Sequence, residues 1–262
     1  MNETPRVALV TGASRGMGAA TAHWLAAAGC RIALAARSGE KLEALAQRFE
    51  ENGGSAIALP LDVADAAQCR RAVEKTLETF GRLDALVNNA GLADPIARVS
   101  EADAGQWAYN IGVNLLGPFY LTGAALPALR RSRGRVINVS SGAAHSAIVG
   151  WSAYCAAKAG LTHFTRVVAA EEPEVTCIAL RPGVVDTDMQ AAIRERGADA
   201  MEADKWAYFR RLKSEQRLEP PETPARAIAW LALHAPRSWS GEFVEYDDPR
   251  IATAAAEAFG GP

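Results

Sequence analysis

The sequence predicts an α/β fold, one doubly wound parallel sheet with helices on both faces. Two observations predict it: short apolar runs rich in Val, Ile, Leu and Ala, and stretches of ten or more residues between them with mixed polar and apolar faces. A strand that is apolar throughout is buried on both sides, and a helical stretch between two such strands supplies the crossover that parallel pairing needs. Right-handed crossovers then wind the sheet in two directions. The 262 residues suffice for one such domain, spanning 1–262.

Arg6–Val10 (RVALV) reads as the first strand and Met17–Ala28 as an Ala-rich helix. Arg31–Ala35 is a second strand, followed by a helix over Gly39–Asn52. Ala56–Leu59 and Asp84–Val87 are the third and fourth strands, on either side of a helix over Ala64–Phe80. Helices cover Ala102–Arg131, and Arg135–Val139 (RVINV) is the fifth strand. Ser152–Ala170 is helix, Val175–Leu180 the sixth strand, Pro224–His234 a late helix and Glu242–Tyr246 a final short strand. The segment 189–221 breaks this rhythm. It is charged, carries Trp206, Tyr208 and Phe209, and follows a strand end, where ligands bind in such sheets; it is expected to be a substrate lid.

Composition excludes several functions. Hydrophobic residues make up 49% and charged residues 22%, and the net charge of -2 provides no field for nucleic acid or an anionic membrane. No unbroken apolar run approaches the ~18 residues of a membrane span. Residues 1–10 lack the basic and apolar regions of a signal peptide, so a cytoplasmic protein is expected. Cys30, Cys69, Cys155 and Cys177 are scattered, as are His23, His145, His163 and His234, so no metal site is expected. Cys155 reads as a small buried helix residue, and His145 is open between a core, a surface and a near-site position.

Three motifs carry chemistry. Directly after the first strand comes Thr11-Gly12-Ala13-Ser14-Arg15-Gly16-Met17-Gly18, whose glycines allow a tight turn and let backbone N–H groups approach a pyrophosphate at a helix N-terminus. Asn88-Asn89-Ala90-Gly91 follows the fourth strand. Tyr154 and Lys158 lie four apart, on one face of the expected helix. A tyrosine of ordinary pKa, about 10, holds its proton too tightly for base catalysis near neutrality. The nearby ammonium is expected to lower that value.

Together, in this order, the motifs resemble the short-chain dehydrogenase/reductase family over nearly the whole chain, Val7 to Tyr246. The resemblance implies a single Rossmann-type domain, a nicotinamide cofactor and a homodimer or homotetramer built on the long helices. Gly12, Ser14, Arg15, Gly16, Met17 and Gly18 match the pyrophosphate loop, Asp62 the adenine contact, and Asn88 and Ala90 the segment beside the adenine ribose. Pro182, Gly183, Val185 and Thr187 fall in the segment that holds the nicotinamide carboxamide. Ser141, thirteen residues before Tyr154, matches the serine that bonds the substrate oxygen, with Ser140 as its structural neighbour. Tyr154 matches the proton donor, Lys158 the residue that also holds the nicotinamide ribose, and Asn114 the helix asparagine of the proton relay.

An acidic residue at the end of the second strand would bind the ribose 2′-hydroxyl of NAD and repel a 2′-phosphate. Ala35-Ala36-Arg37 stands there, with no carboxylate before Glu40. Arg37 and Arg15 are expected to converge on the phosphate, which favours NADP(H) over NAD(H). The expected activity is hydride transfer between that cofactor and a small-molecule ketone, dicarbonyl or secondary alcohol. A catalytically silent NADP(H)-binding regulator is the alternative, and an epimerase or lyase on the same fold a third. The run Pro182-Gly183-Val184-Val185-Asp186-Thr187-Asp188-Met189-Gln190 is similar to the sepiapterin reductase and benzil reductase branch. His145–Trp151 and Met189–Phe209 are expected to wall the substrate pocket, with Trp151, Trp206, Tyr208 and Phe209 favouring an apolar or aromatic carbonyl compound. Asp247 and Asp248 read as ordinary turn carboxylates, with substrate contact left open.

Overall fold

Seven short strands form one parallel sheet in the order β3-β2-β1-β4-β5-β6-β7. They are β1 (Val7–Thr11), β2 (Arg31–Ala36), β3 (Ser55–Pro60), β4 (Ala85–Asn88), β5 (Arg135–Val139), β6 (Thr176–Arg181) and β7 (Phe243–Glu245). This computed structural model describes residues 4–260. Residues 1–3 and 261–262, the ends of the expected domain and the start of the stretch read for a leader, lie outside the described residues.

The two-residue period of the strands sorts the core into two layers. Ala8, Val10, Ile32 and Leu34 face one way and pack on α1 (Gly16–Ala27), α2 (Gly39–Glu51) and α9 (Glu222–His234), through Leu25, Leu42, Ile228 and Leu231. Val7, Leu9, Ala33 and Leu86 face the other way, against α3 (Ala66–Phe80), α5 (Gly117–Ser132) and α6 (Ser152–Glu171), through Val73, Leu121 and Val168. The order reverses direction between β1 and β4, which leaves a crevice at the carboxyl ends of those strands.

Three elements differ from the sequence expectation. The stretch 102–131 is not one helix type: α4 (Ala104–Ile111) runs into a π-helical turn, Gly112–Leu116, before α5. Close approach explains the small residues there, because a Cβ on Gly117 would lie 2.9 Å from the Val63 carbonyl oxygen. By length and composition alone, Ala104–Ser132 is apolar enough to cross a membrane, although polar residues break it into shorter apolar runs; half of its most apolar stretch is buried inside the fold. The segment 189–221 is largely helical, with α7 (Asp188–Arg196) and α8 (Ala203–Ser214). Finally, α10 (Pro249–Phe259) follows β7, with the Asp248 carboxylate accepting from the Arg250 N–H as its N-cap and Ile251 buried against the first layer.

A polar ladder crosses the second layer beneath the crevice. The Asn88 amide donates to Asn138 Oδ1 at 2.8 Å, and the Asn138 amide donates to Thr165 Oγ1 at 2.9 Å. Buried polar groups of this kind are stable only while paired. Replacing Asn138 by Leu leaves the Asn88 amide only its longer bond to Thr122 Oγ1, at 3.4 Å, and should lower the unfolding free energy by about 2 kcal/mol in urea denaturation; a loss below about 0.5 kcal/mol would contradict the ladder's role.

Candidate active site

The carboxyl edge of the sheet opens into a cleft of about 720 Å³, lined by the segments that follow β1 through β6. Thr11, the last residue of β1, organises its floor. Its hydroxyl accepts the N–H groups of Asn89 and Ala90 at 3.0 Å each and donates to the Val87 carbonyl at 3.2 Å. The Asn89 amide returns to the Thr11 carbonyl at 2.8 Å, so β1 and β4 are tied together at the point where the sheet reverses.

The glycine loop lies above this tie. Gly12 and Gly16 have φ of +65° and +53°, and a Cβ on Gly18 would come within 2.2 Å of the Gly12 carbonyl oxygen. Only glycine permits this conformation and this closeness. Arg15 precedes α1 in extended conformation and makes no side-chain cap, so the helix N-terminus is open to the cleft as an anion site. Ser14, Arg15, Gly16 and Met17 line it, as does Ala90. The side chain of Arg15 is ion-paired with Asp188 at the start of α7. Arg37 lies at the other rim, where its guanidinium donates to the Tyr109 hydroxyl at 3.3 Å, and that hydroxyl donates to Asp62 Oδ2 at 2.8 Å. The two arginines thus have separate partners in this structure.

Asn88 differs from expectation too. It shares the face of Leu86 and points into the polar ladder, away from the cleft, and Asn89 takes the cleft position. Pro182, Gly183, Val185 and Thr187 line the far wall. This wall is stitched from outside: Asp186 N–H donates to the Glu219 carbonyl at 2.9 Å, and Glu219 N–H to the Val184 carbonyl at 2.9 Å. Tyr246 packs so closely that a Cβ on Gly183 would meet its ring at 2.9 Å.

Ser141, Tyr154 and Lys158 meet at the centre. Ser141 follows β5, and α6 presents Tyr154 and Lys158 one turn apart. Lys158 is only 4% exposed; its ammonium donates to the Val139 carbonyl at 2.8 Å and lies 5.6 Å from the Tyr154 ring centre. Burial pushes the Tyr154 hydroxyl up to about 12, with the Ser141 hydroxyl acting in the opposite direction. Burial also brings Lys158 down to about 8. This corrects the expected lowering at Tyr154: loss of water opposes the phenolate, and the same loss weakens the ammonium that was to stabilise it.

Asn114, in the π-helical turn, lies behind this centre. Its amide donates to the Leu92 carbonyl at 2.8 Å and to Asn110 Oδ1 at 2.9 Å. Its Oδ1 and the Lys158 ammonium face the same spot, 2.8 and 3.7 Å from where a Gly91 Cβ would sit. The Ser140 hydroxyl is 2.7 Å from Thr162 Oγ1 and is occupied within the core.

The remaining wall is aromatic. Trp151 stands edge-on to Tyr154 at 5.2 Å and against Phe209 at 5.6 Å, and among the described residues its buried indole N–H has no partner. Ile148, Met189, Ile193 and Tyr208 continue the lining. Trp206, expected in this wall, instead fastens α8 to α7 by donating to the Arg194 carbonyl at 3.0 Å. His145 packs edge-on to Phe243, and neither Asp247 nor Asp248 reaches the cleft. Cys155 is half-buried, and burial raises its thiol pKa. Among the described residues no group of three His, Cys, Asp or Glu side chains could hold a metal ion.

Sequence reasoning missed Lys41, Tyr109 and Lys205, all of which line the cleft. Lys41 was within reach of sequence reasoning, one helical turn past Arg37. Tyr109 and Lys205 depend on how α4 and α8 fold over the strand ends.

The protein-family model described as short chain dehydrogenase matches residues 6–198. A benzil reductase ((S)-benzoin forming) of Bacillus cereus is 34% identical over 93% of this chain and 100% of its own length. The solved short chain dehydrogenase/reductase YIR035C of Saccharomyces cerevisiae is 35% identical with a TM-score of 0.90, covering 95% of this chain and 98% of that one. A blue fluorescent protein from a metagenomic library, solved in complex with NADPH, is 32% identical with a TM-score of 0.80 over 94% and 97%. With matches of this extent, the chain belongs to the short-chain dehydrogenase family and is an oxidoreductase.

Proposed function

We propose that this oxidoreductase is an NADP(H)-dependent reductase of ketones or dicarbonyls, reversible with secondary alcohols, with Tyr154 as the acid–base group. The observation that carries the reading is the Ser141–Tyr154–Lys158 centre, with Tyr154 and Lys158 buried, between an open helix N-terminus and an aromatic wall, within one cleft.

The cleft fits a dinucleotide. The open N-terminus of α1 with Ser14, Gly16, Met17 and Gly18 would hold the pyrophosphate, Asp62 and Ala90 would face the adenosine, and Pro182, Gly183, Val185 and Thr187 the nicotinamide. A nicotinamide cofactor held there would supply or accept the hydride at the substrate carbon. Ser141 and Tyr154 donate hydrogen bonds to the carbonyl oxygen and stabilise the charge that develops on it. Tyr154 then gives its proton to that oxygen. Its high pKa in the buried site keeps the proton in place until an alkoxide forms, and Lys158 with Asn114 lies behind it for reprotonation.

NADP(H) is proposed over NAD(H) on the rim of the cleft. Arg37, Ser38 and Lys41 surround the end of β2 without a carboxylate among them, and Ser38 makes no cap bond at the N-terminus of α2. The NADPH-bound relative supports this reading. Self-association through α5 and α6 is proposed as well, supported by the exposure of Phe119 (52%) and Val167 (41%) on those helices.

Two outcomes test this reading. Across a panel of ketones, diketones and secondary alcohols, Tyr154→Phe should lose about a thousandfold in kcat while its Kd for NADPH stays within about threefold. Tight NADPH binding by the unaltered protein without turnover of any compound would instead favour the silent regulator. The double substitution Arg37→Ala with Lys41→Ala should raise the Kd for NADPH about a hundredfold and leave that for NADH nearly unchanged. An equal effect on both cofactors would contradict the assignment of the 2′-phosphate site.

A further inference from the structure

Most charged groups lining the cleft have a partner. Arg15 is paired with Asp188, Arg181 with Glu245 and Asp186 with Lys213, while Arg37 and Asp62 share Tyr109 and Lys158 rests on Val139. Among the described residues, two lining cations lack any such partner: Lys41 at the adenosine end and Lys205 at the substrate end. Lys205 is not a freely solvated side chain. Its ammonium lies over two rings of the aromatic wall, 5.1 Å from the centre of Tyr208 and 5.4 Å from that of Phe209. Such placement holds the charge at the cleft and removes part of its water, which strengthens its attraction for an anion entering the site.

The aromatic contacts give this charge a direction relative to the chemistry. Tyr154 touches Trp151, Trp151 touches Phe209, and Phe209 lies under Lys205. A flat apolar body lying along Trp151 and Phe209, with its carbonyl at Tyr154, presents its far end to the ammonium. We infer that Lys205 is a specificity-determining residue that selects carbonyl substrates bearing a carboxylate at the end remote from the reacting C=O. This rests on the proposed reductase activity and narrows it to keto acids with an apolar, ring-containing body. Arg181, beside Gly142 and already engaged by Glu245, is not needed for this role.

A pair of probes that differ only in charge tests it: 4-acetylbenzoate and its neutral isostere 4-acetylbenzamide, each with the NADPH-loaded protein. Binding is followed by calorimetry and turnover by NADPH absorbance. The unaltered protein should bind and reduce the carboxylate with about tenfold lower Kd and KM than the amide. Lys205→Met should abolish that preference through KM, with kcat and the KM for the amide changed by less than about twofold, and Lys205→Glu should reverse it. Equal weakening toward both probes would make Lys205 a packing residue and overturn the inference, as would the absence of a charge preference or of any binding. Charge-selective binding without turnover would leave Lys205 as the anion anchor and overturn the reductase reading instead.

Discussion

The site depends on one costly arrangement: a lysine ammonium taken out of water and held by a strand carbonyl. Lys158 reaches from α6 to the last residue of β5 and is almost wholly enclosed. Removing water from a charge is expensive unless hydrogen bonds and nearby dipoles replace it. Here the replacement comes from the Val139 carbonyl, with Asn114 Oδ1 facing the same small volume over Gly91. A side chain at position 91 would fill that volume, and a regular α-helix at 112–116 would move Asn114. The π-helical turn and the glycine thus serve the same buried charge.

Everything else in the cleft is arranged around this point by the topology of the sheet. The reversal between β1 and β4 opens the crevice, and the Thr11–Asn89 tie keeps it from spreading. Segments after six strands then deliver a polar, glycine-rich end and an aromatic end to the two sides of Tyr154. The first layer stabilises the glycine loop through α1, and the second anchors α6 through the ladder of Asn88, Asn138 and Thr165. Both layers therefore bear on the same few ångströms around the reacting oxygen.

Much of this was legible in the sequence because it follows from local pattern. Arg135–Val139 reads as a strand and is one, and the motif spacings lead to Ser141, Tyr154 and Lys158. The orientation of Asn88 was also there to be read, since a residue two positions past Leu86 shares its face. Likewise Asp248-Pro249 is a helix start, an N-cap followed by proline at the first position, and announces α10. Other features belong to tertiary structure. Which faces of α7 and α8 meet the cleft decides that Lys205, and not Trp206, lines it. The sign of the shift at Tyr154 depends on how much water the fold removes, and spacing along a helix carries no information about that.

The central claim is that dehydration of Lys158 controls the proton chemistry of the site, and the amine itself can report on it. In protein labelled with 13C at the lysine ε-carbons, the Lys158 resonance, identified by its loss in Lys158→Arg, should titrate with a midpoint at about 8. A midpoint at or above the ordinary lysine value of about 10.4 would contradict the account, because it would mean an ammonium stabilised by its surroundings instead of one weakened by loss of water.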